Sequence, residues 1–343
     1  MLRDAPRNPK KQTMRRRDFL LSMAAGAAGF HLLRPSFEPQ SAGRPPSGSS
    51  RESSVLIKVL GTAQDGGLPQ IGCYCDNCRR ARADAGFSRK IACLGIFDLD
   101  RRSLFIVDAT PDLRLQLDTA LKRLRGEVSG RRIQPDGLIL THAHIGHYTG
   151  LMFFGYEAMS AAGLSVHCSA RMAEFLRRNG PWSQLVRREN IKLHPWDSGL
   201  SVSLTANVSV IPFPVPHRDE YSDTFGLWIK GPDKKLLYIP DIKNWAAWDR
   251  SLTAEAARAD VALLDGTFFS PQELPGRDLS EIGHPFIRDT IRLLDASNEA
   301  PRPRVFFTHL NHSNPAADSS SAAHREILKR GFAVLSEGME FFL

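Results

Sequence analysis

Three imidazoles follow directly on a short apolar run in Leu138-Ile139-Leu140-Thr141-His142-Ala143-His144-Ile145-Gly146-His147. Such a run reads as a buried strand, and its carboxyl end is where the loops of α/β folds gather ligands. In extended chain, residues two apart point the same way, so His142 and His144 share one side. Neutral imidazole is a good ligand for zinc, manganese or iron. A lone histidine after a strand is usually structural. Three so close together, ahead of Tyr148-Thr149-Gly150-Leu151, predict a metal centre.

Other apolar runs predict strands at residues 55–60, 94–99, 104–107, 137–140, 164–167, 208–211, 224–229, 235–239, 261–264, 304–307 and 332–334. Helical periodicity appears at residues 112–123, 151–162, 170–179, 253–258, 286–296 and 322–330. Strands and amphipathic helices alternate, with two strand-rich portions. That pattern suits an α/β layered sandwich in which helices cover sheets, although short apolar runs alone do not separate it from an open doubly wound sheet.

The net charge of +8 invites a nucleic-acid partner, so its location matters. Residues 1–53 hold ten basic and four acidic side chains, which leaves the remaining chain nearly balanced. No nucleic-acid partner is expected. The basic stretch ends in Arg16-Arg17-Asp18-Phe19-Leu20, and a small-residue apolar run continues to Phe30. This order resembles a twin-arginine signal and implies the export machinery as a partner, with a periplasmic or otherwise exported destination. The apolar run is short for a membrane span, so an uncleaved segment would act as an interfacial anchor. The expected organisation is a signal segment at residues 1–34, a Pro-, Ser- and Gly-rich linker at 35–54 and one catalytic domain at 55–343.

Five cysteines, an odd number, make no disulfide framework. Cys73, Cys75 and Cys78 are crowded together, which points to metal, with one disulfide and a spare thiol as the alternative. Cys93 and Cys168 lie near strand-like runs and read as buried small hydrophobes.

The histidine stretch resembles the metallo-β-lactamase superfamily motif His-x-His-x-Asp-His, with Gly146 where that motif has its aspartate. The resemblance implies a four-layer αββα sandwich. It also finds the rest of the ligand order downstream, with His217 after a strand, Asp241 as bridging carboxylate and His309 as the last histidine, and upstream it implies Asp108 as the group that orients a ligand imidazole. The Cys-x-Cys-x-x-Cys site, the glycine-rich opening Gly61-Thr62-Ala63-Gln64-Asp65-Gly66-Gly67 and His284 resemble the pyrroloquinoline quinone biosynthesis protein B family. They also resemble the cyclic phosphodiesterase family of the phosphonate pathway. That likeness implies one structural zinc held by Cys73, Cys75, Cys78 and His312, and His284 as a general acid.

Two readings of the centre follow from the resemblance. In the first, His142, His144, His217 and Asp241 hold one divalent metal (zinc, manganese or iron). His147, His309 and Asp241 hold a second, with an open position at Gly146. Water activated by metal then attacks a phosphodiester or other ester of a small-molecule substrate. Replacing Gly146 with aspartate should preserve or enhance that activity. In the second, two histidines and a carboxylate at the second position make an oxygen-activating iron site for hydroxylation in quinone biosynthesis. A non-catalytic periplasmic carrier of the quinone or its precursor is a third class. The balance lies with the hydrolase.

Overall fold

The strands of this chain are apolar on both faces. In Val55-Leu56-Ile57-Lys58-Val59-Leu60 only Lys58 interrupts the run, and a strand of that composition needs cover on each side. The computed structural model provides it. It describes residues 53–126, 133–296 and 304–343, so the expected signal segment and nearly all of the expected linker lie outside the described residues. Arg51–Leu343 clusters as one compact unit.

The first sheet contains β1 (Val55–Gly61), β2 (Cys93–Asp98), β3 (Ser103–Val107), β4 (Gly137–Ile139), β5 (Leu164–Ser169) and β6 (Ile191–Trp196). The second contains β7 (Val202–Ser203), β8 (Ser209–Pro214), β9 (Phe225–Lys230), β10 (Lys235–Ile239), β11 (Val261–Asp265), β12 (Arg304–Thr308) and β13 (Ala333–Val334). The last strand, β14 (Glu340–Phe342), returns to the first sheet and pairs antiparallel with β1. Both sheets follow one plan. β1 to β3 pair antiparallel and β3 to β6 parallel. β7 to β10 pair antiparallel and β10 to β13 parallel.

Alternation along each strand sorts its side chains into layers. Val55, Ile57 and Val59 of β1 join Ile96, Val107 and Ile139 in a cluster with Val210, Leu227, Tyr238 and Leu263 of the second sheet. That cluster is the seam between sheets. The other face of the first sheet, with Leu56, Ile106 and Val166, packs on α2 (Leu113–Arg125), α4 (Ala170–Arg178) and α5 (Trp182–Arg187). The outer face of the second sheet, with Leu237, Leu264 and Phe307, packs on α6 (Leu252–Ala257), α7 (Ile287–Asp295) and α8 (Ala322–Lys329). Three apolar clusters between four layers give the αββα order. Ser169, Ser251 and Ser321 cap α4, α6 and α8 by accepting from Met172, Ala254 and His324 backbone amides.

Three local expectations change. Residues 151–162 are not one helix: a 3-10 segment, Thr149–Phe154, stops at Gly155, whose extended backbone (ψ 175°) breaks the turn. β6 was not expected, because Ile191-Lys192-Leu193-His194-Pro195-Trp196 is a sheet edge with polar residues and a proline, which edges tolerate. The helix Asp76–Ala83 grows directly out of the cysteine cluster.

The seam sets the stability. Leu263 is fully buried between the sheets, whereas Leu328 is 52% exposed. Leu263→Ala should lower unfolding free energy by about 2–5 kcal/mol. Leu328→Ala should change it by about 0.5 kcal/mol or less, read from paired denaturant titrations.

Candidate metal centre

Every candidate ligand of the centre follows a strand. His142, His144 and His147 come after β4, His217 after β8, Asp241 after β10 and His309 after β12. The two sheets therefore deliver their strand ends to one edge of the sandwich. Asp108, after β3, and His309 hold left-handed backbone (φ 67° and φ 58°). Non-glycine residues rarely adopt that conformation, and it concentrates at functional sites.

What the imidazoles present is decided by their other nitrogen. Asp108 is fully buried, and its carboxylate accepts from the Thr141 amide (2.8 Å) and hydroxyl (3.0 Å) and lies 2.8 Å from His147 Nδ1. A carboxylate only accepts, so His147 carries its proton on Nδ1 and turns Nε2 inward. The Thr141 hydroxyl spends its proton on Asp108 and accepts from His142 Nδ1 (3.0 Å), which frees His142 Nε2. The second sheet repeats the device. Thr267 donates to Asp265 (2.8 Å) and accepts from His309 Nδ1 (3.0 Å), while His284 Nδ1 donates to Asp265 Oδ2 (2.8 Å). His144 is turned the other way: its Nε2 meets Glu220 at 3.3 Å, so Nδ1 faces His217 Nε2, 3.3 Å off.

Asp241 lies between the two banks. Its Oδ2 is 3.0 Å from His147 Nε2, 3.1 Å from His309 Nε2 and 3.7 Å from His142 Nε2. Its Oδ1 is 3.5 Å from His217 Nε2 and from His284 Nδ1. Nε2 of His142, His147 and His309, Oδ2 of Asp241 and Oδ1 of Asp65 are buried without a hydrogen-bond partner among the described residues. Buried polar atoms are nearly always paired. A converging set of imidazole nitrogens and carboxylate oxygens left unpaired fits divalent cations.

Burial and neighbouring charge act on these donors in both directions: burial opposes the His147 cation, but Asp108 outweighs it and raises the imidazole well above its ordinary value. Burial pushes His142 well below its ordinary value, helped by His147, and pushes His217 down to about 4, so both are neutral ligands near pH 7. Burial works against the Asp241 carboxylate, but the charge of His309 and the contact with His147 hold it well below the usual range. Burial also opposes the His284 cation, yet Asp265 outweighs it and raises the imidazole above its ordinary value.

The position expected to be open at Gly146 is filled. A Cβ placed on Gly146 would overlap Asp65 Oδ1 and stand 2.8 Å from Asp65 Cα. Asp65 Oδ1 lies 3.3 Å from His147 Nε2 and 3.9 Å from His309 Nε2. A carboxylate is thus present at the second position, supplied by the loop after β1. The expected benefit of an aspartate at Gly146 is withdrawn, since its side chain would collide with Asp65.

The cysteine cluster assembles as expected from its spacing. Cys75 Sγ and Cys78 Sγ each lie 3.5 Å from His312 Nδ1, and all four candidate ligand atoms gather within 4.8 Å of one another. The Cys75 amide donates to Cys73 Sγ (3.4 Å) and lowers that thiol, whereas burial pushes Cys78 up to about 11 although the Gln70 amide donates to its Sγ (3.3 Å). No cysteine is in a disulfide, and Cys93 and Cys168 are buried. Four residues escaped the sequence reading as site components: Asp65, Glu220, Asp265 and Thr267. Only the strand end at Asp265 and the glycines around Asp65 hinted at them.

Residues 104–310 match the family model of the β-lactamase superfamily domain. Coenzyme PQQ synthesis protein B of Methylococcus capsulatus is 27% identical over 311 residues, covering 84% of this chain and 100% of the relative. Its counterpart in Pseudomonas protegens is 28% identical over 316 residues, with the same coverage. Among solved structures, Zn2+-bound PqqB from Methylobacterium extorquens has a TM-score of 0.72 at 22% identity, over 84% of this chain and 100% of that one. A diphosphatase of the PhnP family has a TM-score of 0.60 at 18% identity, over 84% and 96%. The fold is that of the metallo-β-lactamases, as the sequence implied.

Asp108 tests the tautomer argument. Asp108→Asn removes the charge and one of the two acceptor oxygens that serve Thr141 and His147, and should weaken metal binding at this centre by roughly 10–100-fold. Zinc at the cysteine cluster should be unaffected, and competitive chelator titrations resolve the two.

Proposed function

The chain belongs to the β-lactamase superfamily, and from that premise we propose that it is a metal-dependent hydrolase of a phosphodiester or another ester of a small molecule. The observation that carries this reading is the placement of Asp241, which offers one oxygen to His147 and His309 and the other to His217. In this reading His142, His144, His217 and Asp241 hold one cation, and His147, His309 and Asp241 frame the second. Zinc or manganese suits these donors. Bound there, such ions supply Lewis acidity and bring the pKa of water towards neutrality.

The chain's own residues supply the rest. Asp265 takes the Nδ1 proton of His284 and raises its basicity, which leaves Nε2 as the nitrogen that holds a proton for a leaving oxygen. His284 also lines a cavity of about 560 Å³ shared with Lys243, Trp245, Arg250 and Phe286. That volume is in the range of small-molecule sites, and its cations and aromatic rings suit an anionic organic substrate. Relatives named for coenzyme PQQ synthesis support a small-molecule substrate as well. The case for an oxygen-dependent hydroxylase drew on two histidines and a single carboxylate at the second position, and Asp65 brings a second carboxylate beside them. A carrier has no need of a histidine primed by a buried aspartate. The cysteine cluster serves as a structural zinc site, closed by four ligands. The leader, read from Arg16-Arg17 and its apolar run, directs the enzyme out of the cytoplasm.

Protein loaded with zinc or manganese should cleave bis(4-nitrophenyl) phosphate, a cyclic phosphodiester or an aryl ester equally well with and without oxygen. His217→Ala should abolish turnover. His284→Gln should lower kcat by roughly 10²–10⁴-fold with metal content unchanged. Oxygen uptake with a phenolic substrate, and no hydrolysis with either metal, would overturn the assignment. Separately, replacing Arg16 and Arg17 with lysine should retain the protein in the cytoplasmic fraction; undiminished export would refute the signal.

A further inference from the structure

We propose that Asp65 is a ligand of the second metal position, a carboxylate carried by the loop after β1 in place of one on the histidine loop. The inference rests on the metal-centre reading above and not on the reaction.

The first observation is the mutual exclusion of two side chains. Gly146 lies in the short helix Ile145–Tyr148 and has no left-handed backbone conformation that would demand glycine. Glycine costs roughly 1 kcal/mol against alanine inside a helix, so its presence there needs another cause. The cause is space: even a methyl group at Gly146 would meet Asp65 Oδ1, Cα and Cγ. Glycine at 146 and aspartate at 65 are two halves of one arrangement. With the Asp65 loop in place, residue 146 has no room for a carboxylate of its own.

The second observation is where Asp65 points. Its Oδ1 is buried without a hydrogen-bond partner, as are the His147 and His309 Nε2 atoms that it approaches at 3.3 and 3.9 Å. The other nitrogens of both histidines are committed to Asp108 and Thr267. With those nitrogens committed, both Nε2 atoms and the Asp65 oxygen are left to face a shared cation, and the three atoms lie within 4.8 Å of one another, close enough to hold one ion. The added negative charge also offsets the cation where burial makes an uncompensated charge costly.

The third observation is that the loop is anchored on both sides of Asp65. Before it, Ala63 bridges Leu310 and the Gln64 amide donates to the Leu310 carbonyl (2.9 Å). Beyond it, Cys73, Cys75 and Cys78 close on His312. The loop and the segment from His309 to His312 thus meet at two points, with Asp65 and His309 at one and the thiols and His312 at the other. A ligand on a loop fixed in this way keeps its position without help from the histidine helix.

The test is a metal-binding experiment on the full-length chain, read by metal content after dialysis and by chelator competition, with circular dichroism to confirm folding. Wild type should hold about three ions per chain, one at the thiols and two at the centre. Asp65→Asn, nearly isosteric, and Asp65→Gly should each hold about two. The affinity lost at the second position should exceed the roughly 10–100-fold typical of a change that does not touch the metal. Retention of three ions at unchanged affinity in both Asp65 variants overturns the proposal while leaving the metal centre standing. A wild-type chain that binds only at the thiols overturns both.

Discussion

The centre depends on hydrogen bonds made by four of its imidazoles on the side away from it. Asp108 with Thr141, and Asp265 with Thr267, are two buried carboxylate–hydroxyl pairs, one on each sheet, that take up the Nδ1 protons of His147, His142, His309 and His284. Because a carboxylate has no proton to give, the direction of every bond in each pair is forced, and so is the nitrogen left facing inward. An unpaired buried donor or acceptor costs about 1–3 kcal/mol, and five such atoms converge here. The protein holds them because the apolar layers around them are already complete, and left-handed backbone at Asp108 and His309 is part of the same tension. A cation relieves the unpaired set in one step.

That arrangement requires two sheets held rigidly face to face. Each bank of imidazoles belongs mainly to one sheet, and Asp241 must reach both. The seam of Ile57, Ile96, Val107, Leu227, Tyr238 and Leu263 is fully buried and made of side chains with few alternative rotamers. Parallel strands from β3 to β6 and from β10 to β13 send their carboxyl ends the same way within each sheet, which is why so many ligands occur at strand ends. The histidine cluster is therefore a consequence of topology as well as of composition.

Much of this was legible from the chain alone. His142, His147, His217, Asp241 and His309 each follow an apolar run, and a run that ends in a ligand-type residue is a local signal. Asp108 carried the same mark. The outer helices showed their periodicity, and the crowded cysteines announced themselves by spacing. What escaped was information that exists only between segments. Asp265 looked like the end of one more strand, since nothing near it in sequence names His284 as its partner. β6 was hidden by the polar residues that an edge strand tolerates, and the 3-10 turn at Thr149–Phe154 by a periodicity that Gly155 cuts short. Gly146 was read as an empty position because a sequence shows that a side chain is missing and says nothing of what fills its volume.

The same reasoning explains why the thiol cluster sits where it does. Leu310 bridges Ala63, the Leu310 amide donates to the Thr62 carbonyl (2.9 Å), and Asn77 Nδ2 donates to the His312 and Asn314 carbonyls (3.0 Å each). Asn314 in turn donates to the Gly266 and Thr267 carbonyls, so one network runs from the thiols to the residue that orients His309. The segments joined lie more than two hundred residues apart, and a metal that closes so long a loop removes a large share of the unfolded chain's freedom. The stabilisation is greatest where the fold has most need of it, at the junction of the first strand's loop with the end of β12. There Asp65 and His309 meet between strands that belong to different sheets.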